Sequence, residues 1–550
     1  MRRTVLVAIL GLWLATGAAA AQTFSTENPV LQRIWSLGMD TSQTYQISQT
    51  LFDSIGPRLT GSPGFKAASD WVIATYQRWG ISARAEQYGT WRGWRRGPAH
   101  IDLVAPRVRT LEGTMLAWSP GTGGKTVRGE VIQLPDVADS AAFRVWLPAA
   151  RGKFVAISFP EPSCRPDSEW ATTALPASWT KFRDARAEAS RAWQQRVMKS
   201  AGNARLLQLA LDSAGAAGIL TSTWTTGWGT DRIFSTWTQR APVMDLSCED
   251  YGLVSRLAEN HQGPVVQLVA ESQNLGDVPA FNTIGEIRGT ELPNEYVMLS
   301  AHFDSWDGGS GTTDNGTGTI TMMEAMRILK LVYPNPRRTI LVGHWASEEN
   351  GLDGSRAFVA DHPDIVAHLQ ALFNQDNGTG RVVNMSANGY PNAAGSVARW
   401  LAQVPSEITR NITFGFAGMP AGGGTDHASF DCAGAPGFGL GSLNWDYFLY
   451  TWHTTRDTFD KIVFDDLKSN AVLTAMLVYL ASEDREPVSR EKRTVFPTRG
   501  GFGPGGPQGT SWPTCTPPPR NMTDYVQEVL QREQQQRQQQ QQAPQQPRRP

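Results

Sequence analysis

The sequence predicts an α/β fold in which a mixed, mostly parallel sheet is flanked by helices, with a β-rich domain inserted into it. After Asn282, short apolar runs alternate with segments of helical periodicity, which is typical of a sheet covered by helices on both faces. Between residues 111 and 273 the pattern changes to short β-like runs and long polar helices. The strands predicted for the main sheet are Asn282–Arg288, Tyr296–Ala301, Thr339–Ala346, Leu369–Gln375 and Gly437–Ser442.

The remaining segments follow from the same patterns. Residues 22–110 form the first part of the main domain and include a predicted helix, Phe65–Arg78, with one apolar face. Residues 111–273 are the inserted domain, and residues 274–488 complete the main domain. Residues 489–550 are rich in Gly and Pro and then in Gln. Because eleven of the last twenty residues are Gln, we expect a largely disordered tail with a brief helix near Asp524–Leu530.

The N-terminal residues 1–21 have the pattern of a signal peptide. Two arginines precede an apolar core, Val5–Leu14, and small residues follow it. This core is too short to span a bilayer comfortably, and no cysteine stands at the cleavage point. We therefore expect an exported protein, secreted or periplasmic, without a membrane anchor. The four cysteines are interpreted as structural disulfides, and their spacing leaves all three pairings open.

The charge balance gives no support for a nucleic-acid partner. The chain of 550 residues has 50 Lys and Arg against 51 Asp and Glu, so its net charge is near zero. One basic and aromatic stretch, WRGWRR at residues 91–96, has the composition of a single-strand binding surface. No second basic patch accompanies it, so we interpret it as a solvated hairpin edge. A homodimer is compatible with the sequence.

The segment from Tyr296 to Lys330 contains a dense group of metal-ligating side chains. A strand that ends at His302 is followed by a Gly-, Ser- and Thr-rich loop with Asp304, Asp307 and Asp314, and then by a helix. Carboxylates and imidazole gathered in one loop repel or desolvate one another unless a cation lies among them. Histidine and carboxylate ligands without thiolates favour zinc over other divalent ions.

Four further stretches contribute residues of the same kind. They contain the pair Glu348 and Glu349, then Asp376, then Asp426 with His427, and finally His453. Each residue follows a predicted strand or lies in a loop, so all of them can meet at one edge of the sheet. Several also have plainer interpretations: Asp314 in a turn, the glutamate pair at a helix start, and Asp426 as a helix N-cap.

These stretches together resemble the M28 family of zinc exopeptidases. The blocks HFDSWDGGSGTTDNGTG, SEENGLDGS, NQDNGTG and WHTTRDT occur in the order and approximate spacing of the family's signatures, and GPRLTGSPG resembles its N-terminal segment. Several blocks in order are more specific than any single motif. The variant HFDSWD and the inserted domain, which resembles a protease-associated domain, are similar to the plasma glutamate carboxypeptidase branch.

The resemblance implies a three-layer fold and a centre for two zinc ions. Asp314 would bridge both ions and Glu348 would be the general base. Asp304 would hold the second ring nitrogen of His302 and fix its tautomer. The ligands that the family pattern implies are His302, Asp314, Glu349, Asp376 and His453.

One departure from the family pattern concerns the residue before the last ligand. Many members have a tyrosine there, whose hydroxyl stabilises the oxyanion, whereas this chain has Trp452. An indole N–H donates a hydrogen bond but does not titrate. Tyr450 or Tyr447 could take the role. Asp426 is expected near the substrate pocket or behind the ligands.

The resemblance thus predicts an exported dizinc exopeptidase that removes a terminal residue from short peptides, as an aminopeptidase or dipeptidase. A metal-bridging hydroxide would attack the peptide bond with Glu348 as general base. The alternatives on the same site are a carboxypeptidase and an N-acyl amino acid amidohydrolase. A receptor-like binding protein is less favoured, because such a chain would lose ligands or the base.

Overall fold

The fold is that of a computed structural model, which describes residues 26–387, 389–415, 424–492, 512 and 514–542. The predicted signal peptide lies outside these residues. Within them the strands β1 to β14 are Ser82–Ala105, Arg109–Leu111, Gly113–Met115, Val127–Gln133, Phe154–Ala156, Gly218–Thr221, Val243–Leu246, Val265–Ile287, Leu292–His302, Arg338–Trp345, Leu369–Gln375, Val382–Ser386, Thr413–Gly415 and Gly437–Ser442.

The helices α1 to α17 of the same residues are Pro29–Met39, Thr44–Gln49, Pro63–Arg78, Ser140–Trp146, Asp167–Thr173, Pro176–Ala201, Ala204–Ala214, Cys248–Glu259, Thr317–Val332, Asp353–Asp361, Pro363–Ala367, Ala394–Leu401, Ser406–Thr409, His427–Cys432, Tyr447–Tyr450, Phe464–Glu483 and Met522–Gln542. Short 3-10 or π turns cover Thr50–Ile55, Leu147–Ala150, Thr312–Gly316, Pro391–Ala393 and Phe459–Lys461.

The main sheet is mixed, and its centre consists of parallel strands. The strand order begins β13-β12-β14-β11-β9-β10-β8, and β9 pairs in parallel with both β10 and β11. Along β9, Val297 and Leu299 pack in the cluster that contains α9 and α16, whereas Met298 packs with residues of α10 and α14. Successive side chains of a strand point to opposite faces, so both faces are covered by helices. The predicted α/β class is confirmed, and each of the five predicted strands lies within or nearly coincides with an observed one.

A long antiparallel ribbon connects this sheet to the inserted segment. Strands β1 and β8 pair from Ser82 and Glu286 in the main domain to Ala105 and Val265 at the other end. From there the sheet continues as β8-β4-β5-β6-β7-β3, and a separate apolar cluster packs on these strands. The chain therefore leaves the main domain along β1 and returns along β8, and the intervening residues form a lobe.

The WRGWRR stretch lies in β1 and is not a solvated edge. Trp91 and Trp94 are each only 3% exposed, and Arg96 makes a bidentate ion pair with Asp307 at 2.6 and 2.8 Å. Pairing with β8 places the two indole rings in the core, where their apolar area is removed from water. The prediction of a hairpin edge was wrong because the partner strand lies about 180 residues away in the sequence.

Disulfides connect Cys164 with Cys248 and Cys432 with Cys515. Two disulfides fit an exported protein, since reducing compartments rarely keep them. A membrane-crossing helix, long and apolar, was not found in the part of the chain that the structure describes.

The C-terminal region differs from the expected disordered tail wherever it is described. Residues 514–520 lie along the main domain and α17 follows at Met522, much longer than the predicted helix. The disulfide at Cys515 and the packing of Tyr525 hold this segment, and neither partner could be read from local composition. Residues 493–511 and 543–550 lie outside the described residues.

Candidate active site

The predicted ligands converge where the central parallel strands end. His302 is the last residue of β9, Glu348 and Glu349 follow β10, and Asp376 follows β11. Since these strands are neighbours and run in the same direction, their carboxyl ends meet at one edge of the sheet. Asp314 joins them from the Thr312–Gly316 turn that precedes α9. His453 comes from the loop after α15, 139 positions further along the chain.

Two groups of ligand atoms form at this edge, and they share Asp314. In the first, Nε2 of His302 lies 3.3 Å from Asp314 Oδ1 and 3.0 Å from Asp376 Oδ1. In the second, Nε2 of His453 lies 3.0 Å from Asp314 Oδ2 and 2.9 Å from Glu349 Oε2. Each group has three side chains able to hold a metal ion. Asp314 contributes one carboxylate oxygen to each.

These separations match those of ligands around a common ion. Ligand atoms at about 2.0–2.1 Å from a tetrahedral zinc ion lie roughly 3.3 Å from one another. The ring of His302 gives independent support. Its Nδ1 donates to the main-chain oxygen of Asp304 at 2.9 Å, so in the neutral tautomer Nε2 directs a lone pair at two carboxylates. Such an arrangement is repulsive without a cation, and the donor set of oxygen and imidazole nitrogen is one that zinc accepts.

Buried polar atoms without hydrogen-bond partners also indicate that the site requires a cation. Oε1 of Glu349 and Nδ1 of His453 are buried without a hydrogen-bond partner among the described residues. Burial raises the pKa of Glu349 to about 7. Burial disfavours the charged ring of His453, but the Glu349 and Asp314 carboxylates outweigh it and raise its pKa to about 9. With protein groups alone, the cluster has an excess of buried negative charge that a bound cation would offset.

Glu348 lies beside both groups but belongs to neither. Its main-chain N–H donates to Asp304 Oδ1 at 3.1 Å, and Thr60 donates to Oδ2 of the same carboxylate at 3.1 Å. Burial raises the pKa of Glu348 well above its usual value. The sequence predicted that the Asp304 carboxylate would hold the ring of His302. In the structure that carboxylate is 3.7 Å from Nδ1, and the nearer main-chain oxygen of Asp304 takes the hydrogen bond instead.

Three residues that sequence reasoning did not assign also shape the site. Asp457 accepts hydrogen bonds from the main-chain N–H groups of Thr313 at 2.6 Å and Asp314 at 3.1 Å, which fixes the bridging residue. Trp306 donates its indole N–H to Glu349 Oε2 at 2.8 Å. The available signal for Asp457 was its place in the WHTTRDT block, where only Trp452 and His453 were considered.

Arg58 is the third of these residues, and it organises the loop after His302. Its guanidinium is fully buried and donates to the main-chain oxygens of Phe303, Ser310 and Gly311 at 2.7–2.8 Å. Burial lowers its pKa to about 10, so it remains charged at neutral pH. Arg58 lies in the GPRLTGSPG segment, which explains why that segment accompanies the metal-ligating blocks.

The residues assigned tentatively occupy different positions. Trp452 lines the cavity over the site and stacks on His453, with ring centroids 3.8 Å apart. Tyr450 lies against Gly227 of the lobe and is not part of the cavity wall, whereas Tyr447 lines it. Asp426 is fully buried, which raises its pKa to about 7, and it precedes α14 without making a side-chain capping bond.

The cavity in front of the two groups has a volume of about 990 Å³. It is lined by Asp314, Glu348, Glu349 and Asp376, by the aromatic residues Tyr447, Phe448 and Trp452, and by residues of the C-terminal region, Thr514, Thr516, Glu528 and Arg532. The lobe adds support from behind His453, because Ile233 donates its main-chain N–H to the main-chain oxygen of His453 at 2.8 Å.

Comparisons with known proteins agree with this geometry. Residues 282–478 match the model of peptidase family M28. Carboxypeptidase Q of Rattus norvegicus is 24% identical over 454 residues, which cover 82% of this chain and 88% of the relative, and the Homo sapiens protein gives the same values. A glutamate carboxypeptidase 2 homolog of Caenorhabditis elegans is 32% identical over 230 residues, which are 36% of this chain and 29% of that protein.

Solved structures show the same fold. A peptidase M28 precursor from Shewanella amazonensis SB2B superimposes with a TM-score of 0.62 at 23% identity, covering 84% of this chain and 97% of that one. The zinc aminopeptidase BSAP from Bacillus subtilis gives a TM-score of 0.50 at 16% identity, with coverage of 82% and 97%. Family match, relatives, fold and ligand geometry agree with one another: residues 282–478 are similar to peptidase family M28, and these similarities support a zinc metallo-exopeptidase.

Proposed function

We propose that the chain uses two zinc ions to hydrolyse the terminal peptide bond of short peptides, as an aminopeptidase or dipeptidase. The observation that carries this proposal is the carboxylate of Asp314, whose two oxygens face two different histidines. Bound zinc would act as a Lewis acid that polarises the peptide carbonyl and makes water acidic at neutral pH. His302 and Asp376 would hold one ion, and Glu349 and His453 the other.

Glu348 would serve as the general base. Its carboxylate lines the same cavity as the ligands but belongs to neither group of ligand atoms, so it is free to accept and return a proton. It would take a proton from the attacking water and deliver it to the leaving amine nitrogen. The hydrogen bond from its main-chain N–H to Asp304 holds Glu348 apart from its neighbour Glu349, so that one glutamate ligates while the other remains free.

Tyr447 would stabilise the oxyanion that develops on the carbonyl oxygen. Its ring lines the cavity, and its pKa is raised well above the usual value by burial and by the nearby carboxylates of Asp314, Asp376 and Glu349. A phenol that stays protonated can donate a hydrogen bond to a developing negative charge. Trp452 instead stacks on the ring of His453, which supports this ligand rather than the reacting carbonyl.

The lobe of residues 111–273, which we regard as a protease-associated-like domain, would border the substrate entrance. Its Arg232 donates to the main-chain oxygen of Phe448 at 2.8 Å, and its guanidinium lies 4.9 Å from the ring centroid of Trp452. The lobe thus fixes two residues of the cavity wall. We further propose that the signal peptide directs the enzyme to the periplasm or the outside of the cell.

A carboxypeptidase or an N-acyl amino acid amidohydrolase is the second candidate, favoured by the similarity to carboxypeptidase Q along most of the chain. Hydrolysis of one dipeptide in three forms, with free ends, with an acetylated amine and with an amidated carboxylate, separates the candidates. An aminopeptidase or dipeptidase requires the free amine. If only the acetylated form is cleaved, release of its C-terminal residue would replace this proposal by the carboxypeptidase, and release of acetate would replace it by the amidohydrolase. Chelator must abolish whichever activity is found.

A further inference from the structure

We propose that residues 514–532, here called the C-terminal clasp, are a fixed wall of the substrate cavity that restricts cleavage to peptides of a few residues. This inference rests on the proposed peptidase function of the same site. It assigns a role to a segment that lies beyond the matched M28 domain, which ends at residue 478. The clasp therefore gives this chain a selectivity that the catalytic residues do not supply.

The clasp shares its cavity with the catalytic residues. Thr514, Thr516, Glu528 and Arg532 line the space that Glu348 and Glu349 also line. Arg532 lies directly against the loop after β10 that contains Glu348 and Glu349, because a Cβ placed on Gly351 of this loop would be 3.2 Å from its guanidinium. A substrate that extends along this side of the cavity therefore meets clasp side chains rather than solvent.

A buried arginine of the main domain holds the middle of the clasp. Arg356 is only 9% exposed, and its Nε donates to the main-chain oxygen of Thr516 at 3.3 Å. It also donates to the main-chain oxygen of Pro517 and to both carboxylate oxygens of Glu528, at 3.1 and 3.3 Å. Four hydrogen bonds from one guanidinium, two of them to a carboxylate, therefore fix the clasp to the main domain.

A second anchor uses close backbone contact. The main-chain oxygen of Arg520 accepts a hydrogen bond from Thr90 of β1 at 2.9 Å, and its guanidinium binds the Asp361 carboxylate at 2.7 and 2.9 Å. The neighbouring Gly89 permits this approach, since a Cβ there would lie 2.2 Å from the Arg520 oxygen. The β1 strand is thus shaped to receive the clasp.

Aromatic packing and a disulfide complete the attachment. Tyr525 packs edge-on against Trp91 of β1, with ring centroids 4.7 Å apart, and stacks on Trp237 of the lobe at 5.8 Å. Cys515 is linked to Cys432 at the end of α14. Covalent, ionic and apolar contacts on both the main domain and the lobe describe a fixed wall rather than a lid that opens in each catalytic cycle.

The size of the cavity is consistent with short substrates. Its volume of about 990 Å³ lies at the upper end of the range of about 300–1,000 Å³ for sites that take small molecules. A dipeptide or tripeptide falls within that size class. An extended pentapeptide is about 17 Å long, whereas a compact space of about 990 Å³ is roughly 10 Å across, so the longer peptide would have to leave the cavity past Arg532 or displace the clasp.

The test compares alanine peptides of two to five residues as substrates of the zinc-loaded full-length enzyme. We expect kcat/KM to fall by roughly 10-fold or more from the dipeptide to the pentapeptide. Arg532→Ala, which shortens the wall, should raise the pentapeptide-to-dipeptide ratio by roughly 10-fold, and Thr516→Trp should lower it. Arg532→Met keeps the bulk without the charge and should retain the wild-type ratio. Gln527→Ala, exposed on the same helix, is the matched control.

A binding measurement keeps this inference separate from the proposed function. Peptide affinity for the zinc-loaded Glu348→Gln enzyme, measured by calorimetry, should also be weaker for the pentapeptide than for the dipeptide. Adding Arg532→Ala to this variant should reduce that difference. Equal turnover of dipeptide and pentapeptide by the wild-type enzyme, or equal affinity for both in the enzyme with the single Glu348→Gln change, would refute the proposal that the clasp restricts peptide length. If binding depends on peptide length but the wild-type enzyme hydrolyses no peptide, the result would support the clasp as a length-restricting wall and refute the peptidase proposal instead.

Discussion

The carboxylate of Asp314 faces His453 through Oδ2 at 3.0 Å, while its other oxygen, Oδ1, faces a second histidine 3.3 Å away. Asp314 is held in this position by Asp457, which accepts its main-chain N–H. In the proposed dinuclear centre, each oxygen of this buried carboxylate would share one cation with one of the two rings. The dinuclear proposal, and the predictions that follow from it, depend on this bridge.

Glu348→Gln should retain both metal ions and lower kcat by about 10²–10⁴-fold, because it removes the base without removing a ligand. Metal content by mass spectrometry and turnover of a dipeptide check the two halves of the prediction. Glu349→Gln is the matched control and should lose metal, since its carboxylate faces His453. Near-normal turnover in Glu348→Gln would exclude this residue as the base.

Asp304→Asn should weaken zinc affinity by roughly 10–100-fold, because it removes a negative charge 3.7 Å from the ring of His302. It should also lower kcat, since the Asp304 carboxylate positions the main-chain N–H of Glu348. A competition titration with a chromogenic chelator measures the affinity. Thr60→Val removes a hydrogen bond to the same carboxylate but not the charge, so its zinc affinity should change less. Wild-type affinity in Asp304→Asn would contradict the prediction.

Removal of metal should abolish activity and lower the melting temperature. Zinc that binds the folded state alone at about 1,000 times its Kd stabilises by about 4 kcal/mol. Chelated enzyme should therefore melt earlier, and two equivalents of zinc should restore both properties. The Asp314→Asn variant, with the bridging charge removed, should respond less to zinc. Full recovery of activity and stability after one equivalent would argue for a mononuclear site.

Tyr447→Phe should lower kcat by roughly 10–100-fold with unchanged zinc content, because the hydroxyl proposed to stabilise the oxyanion is lost from a residue that lines the cavity. Tyr450→Phe serves as its control, since that ring lies against Gly227 and outside the cavity wall. Steady-state kinetics on the same dipeptide distinguish the two variants. An equal loss in both, or none in Tyr447→Phe, would remove the hydroxyl from the mechanism.

The pair of Glu86 and His362 should make stability depend on pH far from the active site. Their atoms Oε1 and Nε2 are 2.5 Å apart, and this hydrogen bond raises the pKa of His362 above 6.5. A raised pKa in the folded state stabilises fully below the unfolded value and is lost as pH rises through the folded value. His362→Gln should thus destabilise by under about 1 kcal/mol, because the pair is partly exposed.

That loss should be larger near pH 5.5 than near pH 8.5, because the contribution of the pair falls as pH rises through the raised pKa of His362. Thermal melts of wild type and His362→Gln at the two pH values provide the check. His368→Gln is the control, since the ring of His368 is exposed and bonds only a main-chain oxygen among the described residues. A destabilisation by His362→Gln that increases with pH would contradict the predicted direction of the pH dependence.

The sequence by itself determined the class of the main domain and the identity of the metal-ligating blocks. The strand Leu369–Gln375 and the turn before α9 follow from local apolar patterns and from glycine-rich composition, which act within a few residues. The resemblance of the ordered blocks to the M28 family named His302, Asp314 and His453 as ligands. Local pattern therefore predicted the fold class, and the family resemblance predicted the ligands.

Only the tertiary structure decided how groups distant in sequence are arranged. The buried state of Trp91 depends on pairing with β8, and the order of the clasp depends on Arg356 and Cys432, which lie far from it along the chain. Likewise, whether the main chain or the side chain of Asp304 reaches His302 is a matter of fractions of an ångström. Residue identity fixes which contacts are chemically available, whereas burial and close packing of separate segments select which of them form.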